Sequence, residues 1–185
     1  MQTPLPFATV DQAWAALEAQ KGMSDGEAVD IWTHQVQTAT LLLKQGSDPE
    51  MVAAALLHDL GDGRVAEVEH AAWGAELVRP LLGERVAWLI ATHAEAKRYL
   101  CTTRPDYWAL LSPVSQETLR NQGGLMSPEE VRAFAVHPWV DDAVWLRLCD
   151  DGGKDPSLPE PDTAPLREAL ERVAAQVRQQ GRETS

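Results

Sequence analysis

Five histidines stand in this chain, and one of them, His58, is followed directly by Asp59 at the close of an apolar run, Met51 to Leu57. An imidazole and a carboxylate at the buried end of a helix need a reason to leave water. A divalent cation is one, since it lets a carboxylate and a neutral imidazole be buried with no charge unpaired. A helix cap is another, because His and Asp are common at helix ends without any ligand. His34 lies mid-helix between Ile31 and Leu41, with Thr38 and Leu41 at i+4 and i+7, so it faces inward. A single inward histidine would read as a satisfied core residue. Asp150 ends a later helix, on the face shared with Arg147 at i−3 and Ala143 at i−7.

Helices must position these residues. Apolar residues recur near a period of 3.6 in segments separated by Gly, Pro, Ser and Asp, and no period-2 run rich in Val, Ile and Thr occurs, so the chain reads as an all-α, compact helical bundle. Helices are expected at roughly 9–21, 27–45, 49–60, 69–82, 84–100, 113–121, 127–136, 139–152 and 164–180. Asp48-Pro49-Glu50 offers an N-cap followed by proline at the first helical position, and Ser127-Pro128-Glu129-Glu130 repeats the device with a capping-box glutamate. Gly46, Gly61 and Gly83 fit helix C-termini, where a residue without Cβ takes positive φ. Asp151 to Pro165 reads as a linker to a last amphipathic helix, with Arg178 to Ser185 expected to fray.

With 185 residues, 44% of them apolar and 24% charged, one buried core is expected. No stretch approaches the ~20 apolar residues that cross a bilayer, and Met1 to Val10 carries no signal-peptide pattern, so a cytoplasmic location is expected. The net charge of −12 disfavours nucleic acid and acidic membranes, which require a basic face, so any anionic or zwitterionic ligand must be small and locally caged. Cys101 and Cys149 form no CxxC pair and read as buried thiols. The oligomeric state is not legible.

The order His34, His58-Asp59, then a late helical Asp150 resembles the H…HD…D signature of the HD-domain superfamily, which supplies the ligands of one metal. His70 and His93 fall between the HD pair and the last aspartate, while His137, ahead of Pro138, is assigned to a turn with no functional role. The two additional histidines can hold a second ion with Asp59 bridging the pair, leaving positions open for substrate and oxygen. Such a nitrogen and oxygen donor set suits redox iron at least as well as zinc. The blocks around His93 to Leu100, Leu111 to Leu119, Gln122 to Val131 and Asp142 to Asp151 are similar to those of the HD-domain mixed-valent diiron oxygenases. That resemblance runs from about Glu27 to Lys154. It implies two irons as Fe(II)/Fe(III), O2 as co-substrate, and cleavage of a small 1-hydroxy-2-aminoalkylphosphonate with release of phosphate. It also implies a division into a lead-in over 1–26, an HD domain with the dinuclear site over 27–155, and a linker with a C-terminal helix over 156–185.

Lys97 follows His93 by four residues and Arg147 precedes Asp150 by three, so each cation shares a helical face with a ligand and would form an anion cage beside the metals. Either alone would pass for a surface charge. Ser115, Thr118 and Gln122, at i, i+3 and i+7, resemble the remainder of that cage; an ordinary polar helix face is the alternative. Glu27, seven residues before His34, matches the family acid that helps receive the substrate's amino group, and would otherwise be a glutamate favoured by the helix dipole.

Two positions depart from the family pattern: Ser24 replaces a tyrosine that covers the second iron, and Asp62 stands where histidine is frequent, so the exact substrate is not inherited. Asp151 competes with Asp150 as a ligand, and the Arg147 spacing favours Asp150. A phosphohydrolase, in which the metals activate water, and a non-catalytic metal-dependent binding module remain the alternatives.

Overall fold

The computed structural model describes residues 5–183. Among them are eight α-helices and no strand: α1 (Val10–Glu18), α2 (Ile31–Lys44), α3 (Pro49–Leu57), α4 (His70–Thr103), α5 (Pro113–Asn121), α6 (Pro128–Ala135), α7 (Val140–Gly152) and α8 (Ala164–Glu183). Short 3₁₀ turns occupy Glu67–Glu69 and Pro105–Leu110. Among the described residues no helix is long and apolar enough to cross a membrane.

α3 organises the bundle. Asp48 Oδ1 accepts from the amides of Glu50 at 3.0 Å and Met51 at 3.1 Å, and Pro49 opens the helix. Every residue from Met51 to Leu57 is buried, and a helix apolar all round must be covered on all sides. α2, α4 and α8 supply that cover, and α7 packs against both α2 and α4. α8 turns Leu166, Ala169, Leu170, Val173 and Ala174 inward. A smaller cluster of Leu100, Cys101, Tyr107, Leu111 and Leu119 sits under α5 and the Pro105–Leu110 turn. Cys101 and Cys149 are buried free thiols.

Several boundaries differ from expectation. α2 starts at Ile31, not 27, because Asp30 caps it: its carboxylate accepts from Thr33 N at 2.7 Å and from Gly22 N at 2.6 Å. Glu27 therefore lies in the bend before the helix. The two helices expected on either side of residue 83 meet without a loop, and Gly83, at φ 84° and ψ 177°, is the break between them. Gly46 does take positive φ, but Gly61 does not; a Cβ there would sit 2.3 Å from the His70 carbonyl oxygen, so Gly61 serves close approach. α8 continues to Glu183 instead of fraying from Arg178; Thr184 and Ser185 lie outside the described residues. His137 does sit in a turn, where its ring stacks on Trp88 with centroids 3.7 Å apart.

Candidate metal centre and substrate pocket

Four helices bring the six expected ligands together. His34 comes from the middle of α2, His58 from the C-cap of α3 with Asp59 next, His70 from the first turn of α4, His93 from its second half, and Asp150 from the last turn of α7. All six are buried.

Each histidine spends Nδ1 on a backbone carbonyl: His34 on Gly153 at 3.0 Å, His58 on Ala55 at 2.8 Å, His93 on Ile90 at 2.8 Å, and His70 on Glu67. A carbonyl only accepts, so Nδ1 carries the proton and Nε2 of the neutral ring presents a lone pair. Those lone pairs converge. His34 Nε2 stands 3.2 Å from His58 Nε2, and His70 Nε2 stands 3.0 Å from His93 Nε2. Bare nitrogens that close repel unless a cation lies between them.

The carboxylates complete two donor sets. Asp59 Oδ2 lies 3.4 Å from His34 Nε2 and 3.1 Å from His58 Nε2, while its Oδ1 lies 3.4 Å from His93 Nε2 and 3.7 Å from His70 Nε2. Asp150 Oδ1 joins the first set at 3.2 Å from His34 Nε2. Ligands held ~2.1 Å from a shared ion stand ~3.0–3.4 Å apart in octahedral or tetrahedral geometry, and all of these separations but the 3.7 Å between Asp59 and His70 fall in that range. His34, His58 and Asp59 form one candidate metal group, and Asp59, His70 and His93 another.

The electrostatics carry the same strain. Burial opposes charge on His34, but hydrogen bonds to Asp150 and Asp59 outweigh it and push its pKa up to about 10, so the two carboxylates call for a positive charge at Nε2 that a bound cation would supply in place of a proton. Burial and the neighbouring His70 take His93 down to about 3. Asp59 and Asp150, despite burial, are held well below the usual carboxylate range, by the histidines around Asp59 and by Arg147 beside Asp150.

The backbone of Asp59 is held from both ends. Gln20 Nε2 donates to its carbonyl at 2.8 Å, Gln35 Oε1 accepts from its amide at 3.2 Å, and Gln35 Nε2 donates to Gln20 Oε1 at 2.9 Å. Both glutamines are buried and fully partnered, so the bridge between the two donor sets does not swing.

Beside these ligands lies a cavity of about 60 Å³ lined by all six except His58. Lys97, Arg147 and Lys154 also line it, as do Ser115, Thr118 and Gln122 and the acids Asp25, Glu27, Asp62 and Glu67. Lys97 is 3% exposed, donates to Thr118 Oγ1 at 2.7 Å and, among the described residues, pairs with no carboxylate. Burial, followed by the charge of Arg147, lowers its pKa to about 8. Arg147, also buried, binds Asp150 Oδ2 at 2.5 Å and is held by Asp151 as well. Asp151 thus faces Arg147, and Asp150 is the acid aimed at the histidines. Burial and the adjacent Asp59 push the Asp62 carboxyl up to about 7.

Glu27 reaches the pocket from outside α2. Its Oε1 accepts from Lys154 Nζ at 2.6 Å and Ser112 Oγ at 2.6 Å, and burial notwithstanding, those contacts hold its pKa below the ordinary value. Lys154 also donates to Ser115 Oγ at 3.1 Å. Sequence reasoning missed Lys154 because it fell in the supposed linker. That segment is part of the site: Gly153 receives His34, and Asp155 pairs its backbone with the Gln37 amide at 2.8 and 3.0 Å. The spacing of Lys154 four residues after Asp150 was the available signal. Gln122 is the C-cap of α5, past the helical stripe assigned to it, and its Oε1 is buried without a protein partner. Ser24 is exposed and accepts from Gly26 N at 3.1 Å.

The HD-domain family model matches residues 31–134. Over 147 residues the chain is 37% identical to hydroxymethylphosphonate dioxygenase of Gimesia maris, covering 74% of this chain and 73% of that one. It is 33% identical over 147 residues to the glycine-betaine-forming 1-hydroxy-2-(trimethylamino)ethylphosphonate dioxygenase of Leisingera caerulea, covering 74% and 75%. A helical bundle that gathers His34, His58, Asp59 and Asp150 in this order, with relatives of this kind, belongs to the HD-domain phosphonate dioxygenase family.

Proposed function

We propose that this protein is a diiron oxygenase that uses O2 to cleave the carbon–phosphorus bond of a small hydroxylated organophosphonate and release phosphate. The observation that carries this reading is Asp59, whose two oxygens face two separate histidine pairs within one pocket. His34, His58, Asp59 and Asp150 would hold one iron, and Asp59, His70 and His93 the other. The ligand count leaves positions open on both, as a redox centre that takes up substrate and O2 requires. When bound, the Fe(II)/Fe(III) pair would supply the electron chemistry that oxidises the hydroxyl-bearing carbon.

The chain's own residues bind and orient. Lys97, which pairs with no carboxylate among the described residues, neutralises the phosphonate, with Thr118 and Ser115 hydroxyls beside it. The cavity of about 60 Å³ suits a substrate of a few heavy atoms and is small for a nucleotide. Burial of Lys97 and Ser115 strengthens these interactions. For a substrate bearing an amino group, Glu27 is already engaged by Lys154, so Asp25, Asp62 and Glu67 are the acids left to receive it.

The test is a comparison of hydroxymethylphosphonate with 1-hydroxy-2-aminoalkylphosphonates and their N-methylated forms on iron-loaded protein. Asp62→Asn should raise KM for the amino compounds and leave hydroxymethylphosphonate unchanged. Equal effects on both would remove Asp62 from substrate recognition.

A further inference from the structure

We propose that Tyr107 and Asp151 are positioning residues that act through Arg147 to fix how Asp150 presents itself to the first metal. Arg147 is anchored at three points: Nη1 donates to Asp150 Oδ2 at 2.5 Å, Nη2 to Asp151 Oδ1, and Nε to Tyr107 Oη at 3.2 Å. Tyr107 Oη in turn donates to Asp151 Oδ2, which closes a ring of three side chains. Tyr107 is 3% exposed and is held in the small apolar cluster by the Pro105–Leu110 turn.

The ring determines which grip Arg147 can take. A free guanidinium grips a carboxylate with two parallel N–H groups and engages both oxygens. Here Tyr107 on Nε and Asp151 on one N–H of Nη2 fill the side-on edge of the guanidinium, and Asp150 receives a single hydrogen bond on Oδ2 from Nη1 while its Oδ1 stays turned to His34 Nε2, 3.2 Å away. Two carboxylates already compensate the Arg147 charge, whereas Lys97 has none. Arg147 therefore serves Asp150 first, and Lys97 carries the anion.

This inference rests on the dinuclear metal reading and not on the oxygen chemistry, so its test counts ions. Full-length wild type, Tyr107→Phe, Asp151→Asn and Asp151→Glu would be loaded anaerobically with Fe(II) and challenged with graded chelator. Metal-free thermal unfolding would be followed separately. Tyr107→Phe and Asp151→Asn should release one of two ions up to about 10-fold more readily than wild type, the low end of the scale for losing a direct partner of a metal ligand because Arg147 remains, and keep the other. Asp151→Glu should restore retention, and KM for hydroxymethylphosphonate should move less than in Lys97→Ala. Retention of both ions as in wild type would overturn the proposal, as would parallel loss of both with collapse of the metal-free fold. Fewer than two ions on wild type would instead remove the dinuclear reading beneath it.

Discussion

Asp59 is the residue on which both donor sets depend, since each of its oxygens faces a different histidine pair. Asp59→Ala should lose both metal ions, whereas Lys97→Ala should keep both and weaken phosphonate binding by roughly 2–4 kcal/mol, the scale of a truncated buried charge pair. Full metal occupancy in the Asp59 variant, measured by elemental analysis, would contradict the bridge. Burial and Arg147 lower Lys97 to about 8, so its ammonium is present below that pH and lost above it. KM should therefore climb as pH rises through about 8, and a flat profile up to about pH 9.5 would argue that Lys97 does not hold the anion. His70 and His93 came only with the family resemblance, whereas the other four of the six candidate ligands, His34, His58, Asp59 and Asp150, were legible in sequence because an imidazole or carboxylate on an apolar helix is conspicuous. Lys154 and Tyr107 were not, since the first depends on the path of the chain beyond Gly152 and the second on a meeting of 3₁₀ turn and α7.

Close approach between helices shapes the site as much as the ligands do. A Cβ on Gly153 would meet Thr38 Oγ1 at 2.2 Å and the His34 carbonyl at 3.1 Å, and so would force α7 away from α2 and break the contact to His34 Nδ1. Gly83 holds a conformation almost confined to glycine, φ 84° and ψ 177°, and makes the break in α4 between His70 and His93. Gly153→Ala and Gly83→Ala should each cost about 1–3 kcal/mol of stability, seen as a lower Tm. Gly153→Ala should also weaken retention of the iron on His34; retention as in wild type would show that the α2–α7 contact does not tune His34. Helix starts were readable where a cap and proline coincide, as at Asp48-Pro49 and Ser127-Pro128. The start of α2 was misread because Glu27 to Asp30 has no breaker other than the cap itself, and Gly61 was assigned to a helix C-terminus with positive φ because spacing says nothing of what passes beside it.

Across the entire chain, helical content was legible from the 3.6 period, while the mutual arrangement of the helices was not, because it is set by contacts distant in sequence. Arg85 is one such contact, joining Asp48 at 2.9 Å, Glu50 at 2.8 Å and Asp142 at 2.9 Å and so tying α3, α4 and α7 together. Burial would raise the Asp48 carboxyl, but Arg85 and two capping amides hold it below 3.8. A carboxylate with a depressed folded pKa stabilises the fold above its unfolded value and loses that contribution as pH falls through the folded one. Tm should thus decline as pH drops below 3.8, and Arg85→Gln should lower Tm near neutrality and lessen that decline; an unchanged acid profile would exclude this clamp. The most direct test of function is oxygen uptake by iron-loaded, partly oxidised protein given hydroxymethylphosphonate or a 1-hydroxy-2-aminoalkylphosphonate, with phosphate followed in parallel. Uptake coupled to stoichiometric phosphate release is the predicted result. No uptake, with the same protein hydrolysing phosphate esters in the absence of oxygen, would contradict the oxygenase and assign the centre to hydrolysis.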